Sequence, residues 1–422
     1  MLSLYHNTLD LFIANWRWLL VLSVLPLFAD NAIYNLPLLI MALLGSIALI
    51  RYPGSLWQRL EIRYLLLLFA ALWLPQLLAL TDAVEPEHSL RTVMHYPGYL
   101  FAALFIAASL GRRDLDRLYA GILVVMAVWF IDALLAWAGL ETWLGYTTKG
   151  VRISGILFNK PTLGHIVALL SPLVFDYIRN HMKSPTAWLF LIGTILIVML
   201  SGRRVAWVML ALAASGYAVY IICILRSIRP AILTYTAILF LVIPLGLYHY
   251  YQPFEERIET TLGLFSGDIE TIDQATAHRL DIWISAANIG SENWFNGVGT
   301  RGFRHVYTEH APEDHFWTNQ RGGGPTHPHQ FVLEIMAETG VVGIVGYMIV
   351  WPILLLILWR GDSRLAWPFA LALAVALFPL NAHMAFYSSY WSALVWWLIG
   401  IVIAIAAQHK NAQETVPRTA LP

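Results

Sequence analysis

His329 closes the run Thr326-His327-Pro328-His329-Gln330. This run lies between the glycine-rich stretch Arg321-Gly322-Gly323-Gly324-Pro325 and a long apolar segment. An imidazole titrating near neutrality can accept or deliver a proton. The edge between a loop and a fixed element is a common place for such a group. A lone histidine at such an edge is more often simply bonded to loop backbone. His327 is tied to it through Pro328, which restricts the chain between the two rings. A second set is made of Arg203, Arg204, Arg279, Arg301, Arg304 and Arg321. The planar guanidinium fork matches phosphate oxygens two at a time, so two or three of these converging would suit a pyrophosphate. The alternative is dispersed loop charges paired with Asp268, Asp273, Asp281 and Glu292. A third set is His305, His310 and His315 with Glu309, Glu313 and Asp314. Five-residue spacing puts those imidazoles on different faces of a helix, and no metal site is expected. Of the acidic groups, Asp82, Glu85 and Glu87 are the better candidate. Asp114-x-Asp116, among Arg112, Arg113 and Arg117, reads as a charged loop.

The elements that must position these side chains are apolar. The 422 residues are 59% hydrophobic and only 12% charged, with mean hydropathy +0.64. Soluble domains carry about 25% charge. Runs approaching the roughly 20 residues that cross a hydrocarbon core predict an all-α polytopic membrane protein. An outer-membrane barrel would alternate instead. The formal net charge is zero and gives no reason to expect a nucleic-acid partner. Cys223 is the single cysteine, so no internal disulfide forms. The first apolar run lacks a small-residue cleavage site and is expected to remain as a span.

About twelve transmembrane helices are predicted by length and hydropathy. They lie near 15–29, 32–50, 64–81, 97–110, 118–139, 163–178, 186–201, 204–225, 231–250, 331–359, 365–381 and 389–407. The division is thus 1–249 as spans one to nine, 250–330 as one large loop domain, 331–407 as spans ten to twelve, and 408–422 as a tail. Arg51, Arg59 and Arg63, then Arg112, Arg113 and Arg117, then Arg179 and Lys183, Arg226 and Arg229, and Arg360 and Arg364 fill alternate connections. By the positive-inside rule both termini are cytoplasmic and the 250–330 loop faces the other side. Lys149, Arg152 and Lys160, and the Ser201-Gly202-Arg203-Arg204 turn, go against that rule. Within the large loop, 254–261 and 277–289 have amphipathic spacing, the latter with Leu280, Trp283 and Ile284 on one face. Gly340, Gly343 and Gly346 recur at a spacing that lets helices approach closely. Glu338 is expected to hold a loop or a neighbouring helix.

His329-Gln330-x-Val332-Leu333 followed by Glu338-x-Gly340-x-x-Gly343 resembles the signature of the O-antigen ligase and polymerase superfamily. Ser201-Gly202-Arg203-Arg204-Val205-Ala206-Trp207 resembles that family's arginine-bearing span start, with Arg204 at the matching position. Arg279-Leu280-x-Ile282-Trp283 with Asn296-Gly297-Val298-Gly299 resembles its Arg-x-x-x-Trp segment. The likeness runs from about 200 to 346. Gln330 stands where Asn is usual, Val332 where an aromatic is usual, and Arg203 where Ser is common. The resemblance implies a bacterial inner-membrane glycosyltransferase with a periplasmic active site and no cofactor or metal. The donor would be a polysaccharide on undecaprenyl pyrophosphate and the acceptor a lipid A-core oligosaccharide. His329 would be the general base, with Arg204 and Arg279 at the leaving pyrophosphate. Arg203, His327, Gln330, Arg301 and Arg321 would bind substrate. An O-antigen polymerase or a protein O-oligosaccharyltransferase is the alternative within the superfamily, and a flippase of lipid-linked sugar the alternative outside it.

Overall fold

The computed structural model describes residues 15–29, 33–141, 153–157, 162–226, 229–312, 316–317, 324–360, 363–381 and 384–414. The positions of Lys149, Arg152, Lys160, Glu313, Asp314, His315, Arg321 and Arg418 lie outside these residues.

The described chain is helical, with no strand among the described residues. Its main helices are α1 (Asn35–Arg51), α2 (Leu60–Leu78), α3 (Pro86–Ser109), α4 (Arg112–Trp137), α5 (Leu163–Asn180), α6 (Pro185–Leu200), α7 (Arg204–Val219) and α8 (Pro230–Tyr250). Next come α9 (Gln252–Leu262), α10 (Ile269–Thr276), α11 (Leu280–Glu292) and α12 (Phe303–His310). The chain closes with α13 (Phe331–Arg360), α14 (Ser363–Ala376) and α15 (Ser389–Glu414). Among the described residues, seven helices are long and apolar enough to cross a membrane: Leu60–Asp82, Pro86–Ser109, Arg112–Trp137, Arg204–Ile224, Pro230–Tyr250, Phe331–Trp359 and Ser389–Gln408. Asn35–Arg51, Pro185–Leu200 and Leu365–Ala376 are shorter apolar helices.

The bundle is organised around α15, whose apolar window is 94% buried, whereas that of α8 is only 6% buried. α15 packs on α3, α1 on α3, α13 on α2, and α5 between α6 and α7. On α1, Leu36, Leu39, Leu43, Ile47 and Ile50 point outward at helical spacing. An apolar stripe on the outside is the pattern of a helix solvated by lipid.

Two sequence expectations need correction. The acidic connection around Asp82 is shorter than it reads, because α3 already begins at Pro86, so Glu87 and Arg91 are helical and form an i,i+4 pair at 3.2 Å. In α11 the buried face is Ile282, Ser285, Ala286 and Ile289, not Leu280, Trp283 and Ile284. Ile284 is 52% exposed. Small residues won that face because α11 lies tight on α13: a Cβ on Gly290 would stand 2.8 Å from Met336 Cγ.

The glycine spacing in α13 does more than pack. Gly340 takes φ 59 and ψ −160, breaking the helix. The break releases the carbonyls of Ala337 and Glu338, which accept the N–H groups of Val298 (3.0 Å) and Gly299 (3.1 Å). Beyond it, the N–H groups of Val341 and Val342 donate to Trp294 O (2.8 Å) and Phe295 O (3.2 Å). Four reciprocal backbone bonds thus clasp the 293–300 loop onto the broken helix. The clasp satisfies groups that would otherwise be orphaned inside an apolar bundle. Gly297, at φ 70, lies so close that a Cβ there would stand 2.4 Å from Glu338 C. The α2–α3 connection joins in. Asn296 Nδ2 donates to Asp82 Oδ2 at 2.6 Å and Thr81 Oγ1 at 2.9 Å, and Val84 N donates to Val298 O at 3.1 Å.

Candidate functional site

Arg204 begins α7, just after the turn Ser201–Arg203 in which Gly202 is left-handed (φ 61). Its Nη1 donates to the carbonyl of Ala275, at the end of α10. Arg279 is reached through two consecutive left-handed residues, Ala277 (φ 62) and His278 (φ 58). For residues with a Cβ this conformation is strained, and Asp273 holds it. The Asp273 carboxylate meets His278 Nδ1 at 2.7 Å and accepts Leu280 N–H at 3.3 Å, while its carbonyl accepts His278 N–H at 2.8 Å. Phe316 stacks on the His278 ring with centroids 3.9 Å apart. The turn delays the start of the helix expected from 277 to Leu280 and leaves Arg279 within electrostatic reach of Arg204. Burial, and then the positive charge of Arg204, pushes the Arg279 guanidinium down to about 10. Two cations forced together in a partly dry place form a ready anion site.

His329 completes the same end of the molecule. It too has left-handed backbone, φ 55. Its ring lies 3.9 Å from that of His327 and 6.5 Å from that of Trp317. The Trp317 indole N–H donates to the carbonyl of His278, the residue before Arg279. A continuous run of contacts therefore leads from Arg204 through Ala275 and the His278–Arg279 turn to Trp317, His329 and His327. Gln330 plays a different part: its Oε1 accepts Leu333 N–H at 2.5 Å and its Nε2 donates to Pro379 O at 3.3 Å. That is an N-cap on α13 and a tie to the α14 side. One N–H and one lone pair of this amide are thereby engaged in holding the start of α13.

Arg301 and Arg304 belong to a neighbouring cluster. Arg301 (φ 65) donates its backbone N–H to Glu338 Oε2 at 2.7 Å. Glu338 holds a loop, as its position in the sequence suggests. Arg301 Nη1 and Arg304 Nε and Nη2 are buried with no hydrogen-bond partner among the described residues. Burial, then Arg301, holds the Arg304 guanidinium below its usual range. His88 and His305 stand at the rim, their ring centroids 5.9 Å apart.

Two residues escaped the sequence reading. Glu334 is fully buried on α13, and its carboxylate accepts Phe386 N–H (2.8 Å) and Tyr387 N–H (3.2 Å). His165, fully buried at the start of α5, lies within electrostatic reach of Arg203 and Arg279. Ionisable residues inside apolar runs are rare and usually functional, and that signal marks both. Of the histidine triplet, His315 lies outside the described residues. His310 pairs with Glu292 at 3.0 Å and His305 faces Glu85 at 4.0 Å. Asp114 binds the backbone N–H of Gly111 at 3.0 Å, ahead of α4.

Residues 189–348 match the family described as O-antigen ligase. The matched region contains α7 to α12, Arg204, Arg279 and His329, and this supports an O-antigen ligase family assignment. No curated protein matches the chain.

Proposed function

From the O-antigen ligase assignment, and from the run of contacts joining Arg204, Arg279 and His329, we propose that this chain is a glycosyltransferase. It moves O-antigen polysaccharide from undecaprenyl pyrophosphate to a sugar of the lipid A core. The reaction is a single inverting displacement. The acceptor hydroxyl oxygen bonds to the anomeric carbon as neutral His329 takes its proton. The bond from that carbon to the pyrophosphate oxygen breaks, and the pyrophosphate leaves with the electron pair. Arg204 and Arg279 face the charge that grows on this oxygen, which is where preorganised cations lower a barrier most. The alternating arginines support a twelve-span layout in the inner membrane, termini cytoplasmic and this site on the outer face. Arg203, His327 and Arg301 line the approaches.

The single observation that carries the reading is the meeting of Arg204 and Arg279 through the Asp273-locked turn. A transporter calls for charged or broken helices at the midplane, and the acidic residues inside the predicted spans are sparse. Asp176 is satisfied by Arg179 (3.0 Å), Asn180 (3.0 Å) and Tyr217 (3.0 Å), a structural clamp. The test uses purified protein supplied with both lipids. His329→Ala and Arg279→Ala should each cost about a hundredfold or more in transfer. Full transfer by both folded variants removes the mechanism. In cells, deletion should leave polymer on undecaprenyl pyrophosphate and the lipid A core bare, whereas loss of the polymer itself favours a polymerase.

A further inference from the structure

The far end of the bundle holds a cavity that the transfer reaction does not use. Its volume is about 530 Å³, within the range of ligand sites. It is walled by the start of α2, the end of α3, the start of α4, the end of α15 and the segment around Arg17. Each of α2, α3 and α15 reaches the clasp or the Glu334-bound turn with its opposite end. The cavity is therefore a helix length away from His329, at the level where the arginine-rich connections emerge.

Its lining has a definite charge pattern. Arg17 and Arg59 supply two guanidiniums, while Glu61 and Asp114 supply two carboxylates. Gln58, Ser55 and Gln408 add neutral hydrogen-bonding groups, and Ser109 Oγ is buried there with no partner among the described residues. Asp114 is fixed by Gly111 N–H at 3.0 Å, and Gln408 Nε2 donates to Leu110 O at 3.0 Å, so the wall is built rather than incidental. A polyanion would meet two carboxylates and a simple cation two guanidiniums. A zwitterion satisfies both pairs. Ile50 (81% exposed) and Trp57 (52% exposed) lie close in the chain to the lining residues Ser55 and Arg59, and offer apolar surface for acyl chains.

We propose that this cavity binds a zwitterionic glycerophospholipid headgroup, with phosphate on Arg17 and Arg59 and the ammonium on Glu61 and Asp114. Basic hollows between helices at the cytoplasmic surface are recurrent headgroup sites. The proposal rests on the bundle lying in a membrane and not on the glycan chemistry at the other end.

The test is native mass spectrometry of the detergent-purified full chain, after titration with phosphatidylethanolamine or phosphatidylglycerol. The wild type should retain the ethanolamine lipid in preference to the glycerol lipid. R17A/R59A should weaken retention of both by about tenfold or more. Glu61→Gln, which leaves the Asp114 contact intact, should reduce the preference without losing binding, and an unchanged preference counts against the proposal. Equal retention of the two lipids by the wild type overturns the proposal, as does unchanged retention by a folded R17A/R59A protein. If soluble phosphoethanolamine displaces the lipid at equal concentration, the ligand is a soluble phosphate ester and the lipid assignment fails.

Discussion

Replacing Gly340 with alanine tests the backbone clasp on which the candidate site is hung. At φ 59 and ψ −160 the backbone lies where only glycine is at ease. The added Cβ would stand 2.3 Å from Phe295 O, 2.4 Å from Phe295 C and 2.5 Å from Asn296 N. All three are backbone atoms, so no side-chain rotation relieves the clash. The strain itself costs about 1–3 kcal/mol. Relief means parting the loop from the helix, which strands two or more of the four clasp bonds in an apolar setting at about 1–3 kcal/mol each. The sum is on the order of 4 kcal/mol, or a fall of about 8 °C or more in Tm at roughly 2 °C per kcal/mol. The assay is thermal unfolding in detergent followed by tryptophan fluorescence. Gly246→Ala is the control, because nothing lies within 4 Å of its Cβ. Should Gly340→Ala melt within a degree or so of Gly246→Ala, the clasp does not hold the loop as described.

Other perturbations separate the parts. Asp273→Ala removes two bonds from the Ala277–His278 turn, and transfer should drop about tenfold or more through a displaced Arg279. Donor KM should rise while helix content by circular dichroism is unchanged; an unaffected KM would count against the turn as the positioning device. Glu334→Gln replaces one of the two accepting oxygens with an amide NH2, which then faces the N–H of either Phe386 or Tyr387. Hydrogen exchange at that amide should speed up by a factor corresponding to about 1–3 kcal/mol, and native-like protection of both amides would contradict the assignment. For His310, burial pulls the pKa down, but the bonds to Val306 and Glu292 more than offset it and raise it above its usual value. The folded value being the higher one, this contribution is present at pH below the ordinary histidine value. It fades as pH rises through the folded value. Glu292 is exposed, so the contribution stays below about 1 kcal/mol, and His310→Ala should flatten that segment of the stability–pH curve.

The helical class, the apolar runs and the polar interruption after Tyr250 were legible because they depend on composition and length. Arg204 and Arg279 were legible as residues but not as neighbours. Their meeting depends on two left-handed residues, Ala277 and His278, which carry no glycine to announce them, and on an aspartate that acts five and seven residues onward. Gly340 looked like a packing glycine because three-residue spacing is the same for a helix contact and a helix break. The capping role of Gln330 was not legible, because an amide beside a histidine reads as a ligand contact and only the fold brings it to Leu333 N–H and Pro379 O. The buried face of α11 was misread because Ile282 and Ile289 share it with the small residues Ser285, Ala286 and Gly290, which carry little hydrophobic signal.

The uneven burial of α8 and α13 has a mechanical consequence. The segment carrying Arg279 is moored at one end to a helix 39% buried and clasped by backbone bonds, and at the other to a helix only 6% buried. The first mooring is a post and the second a float. The stretch that carries Arg279 is therefore held more firmly where it enters α13 than where it leaves α8.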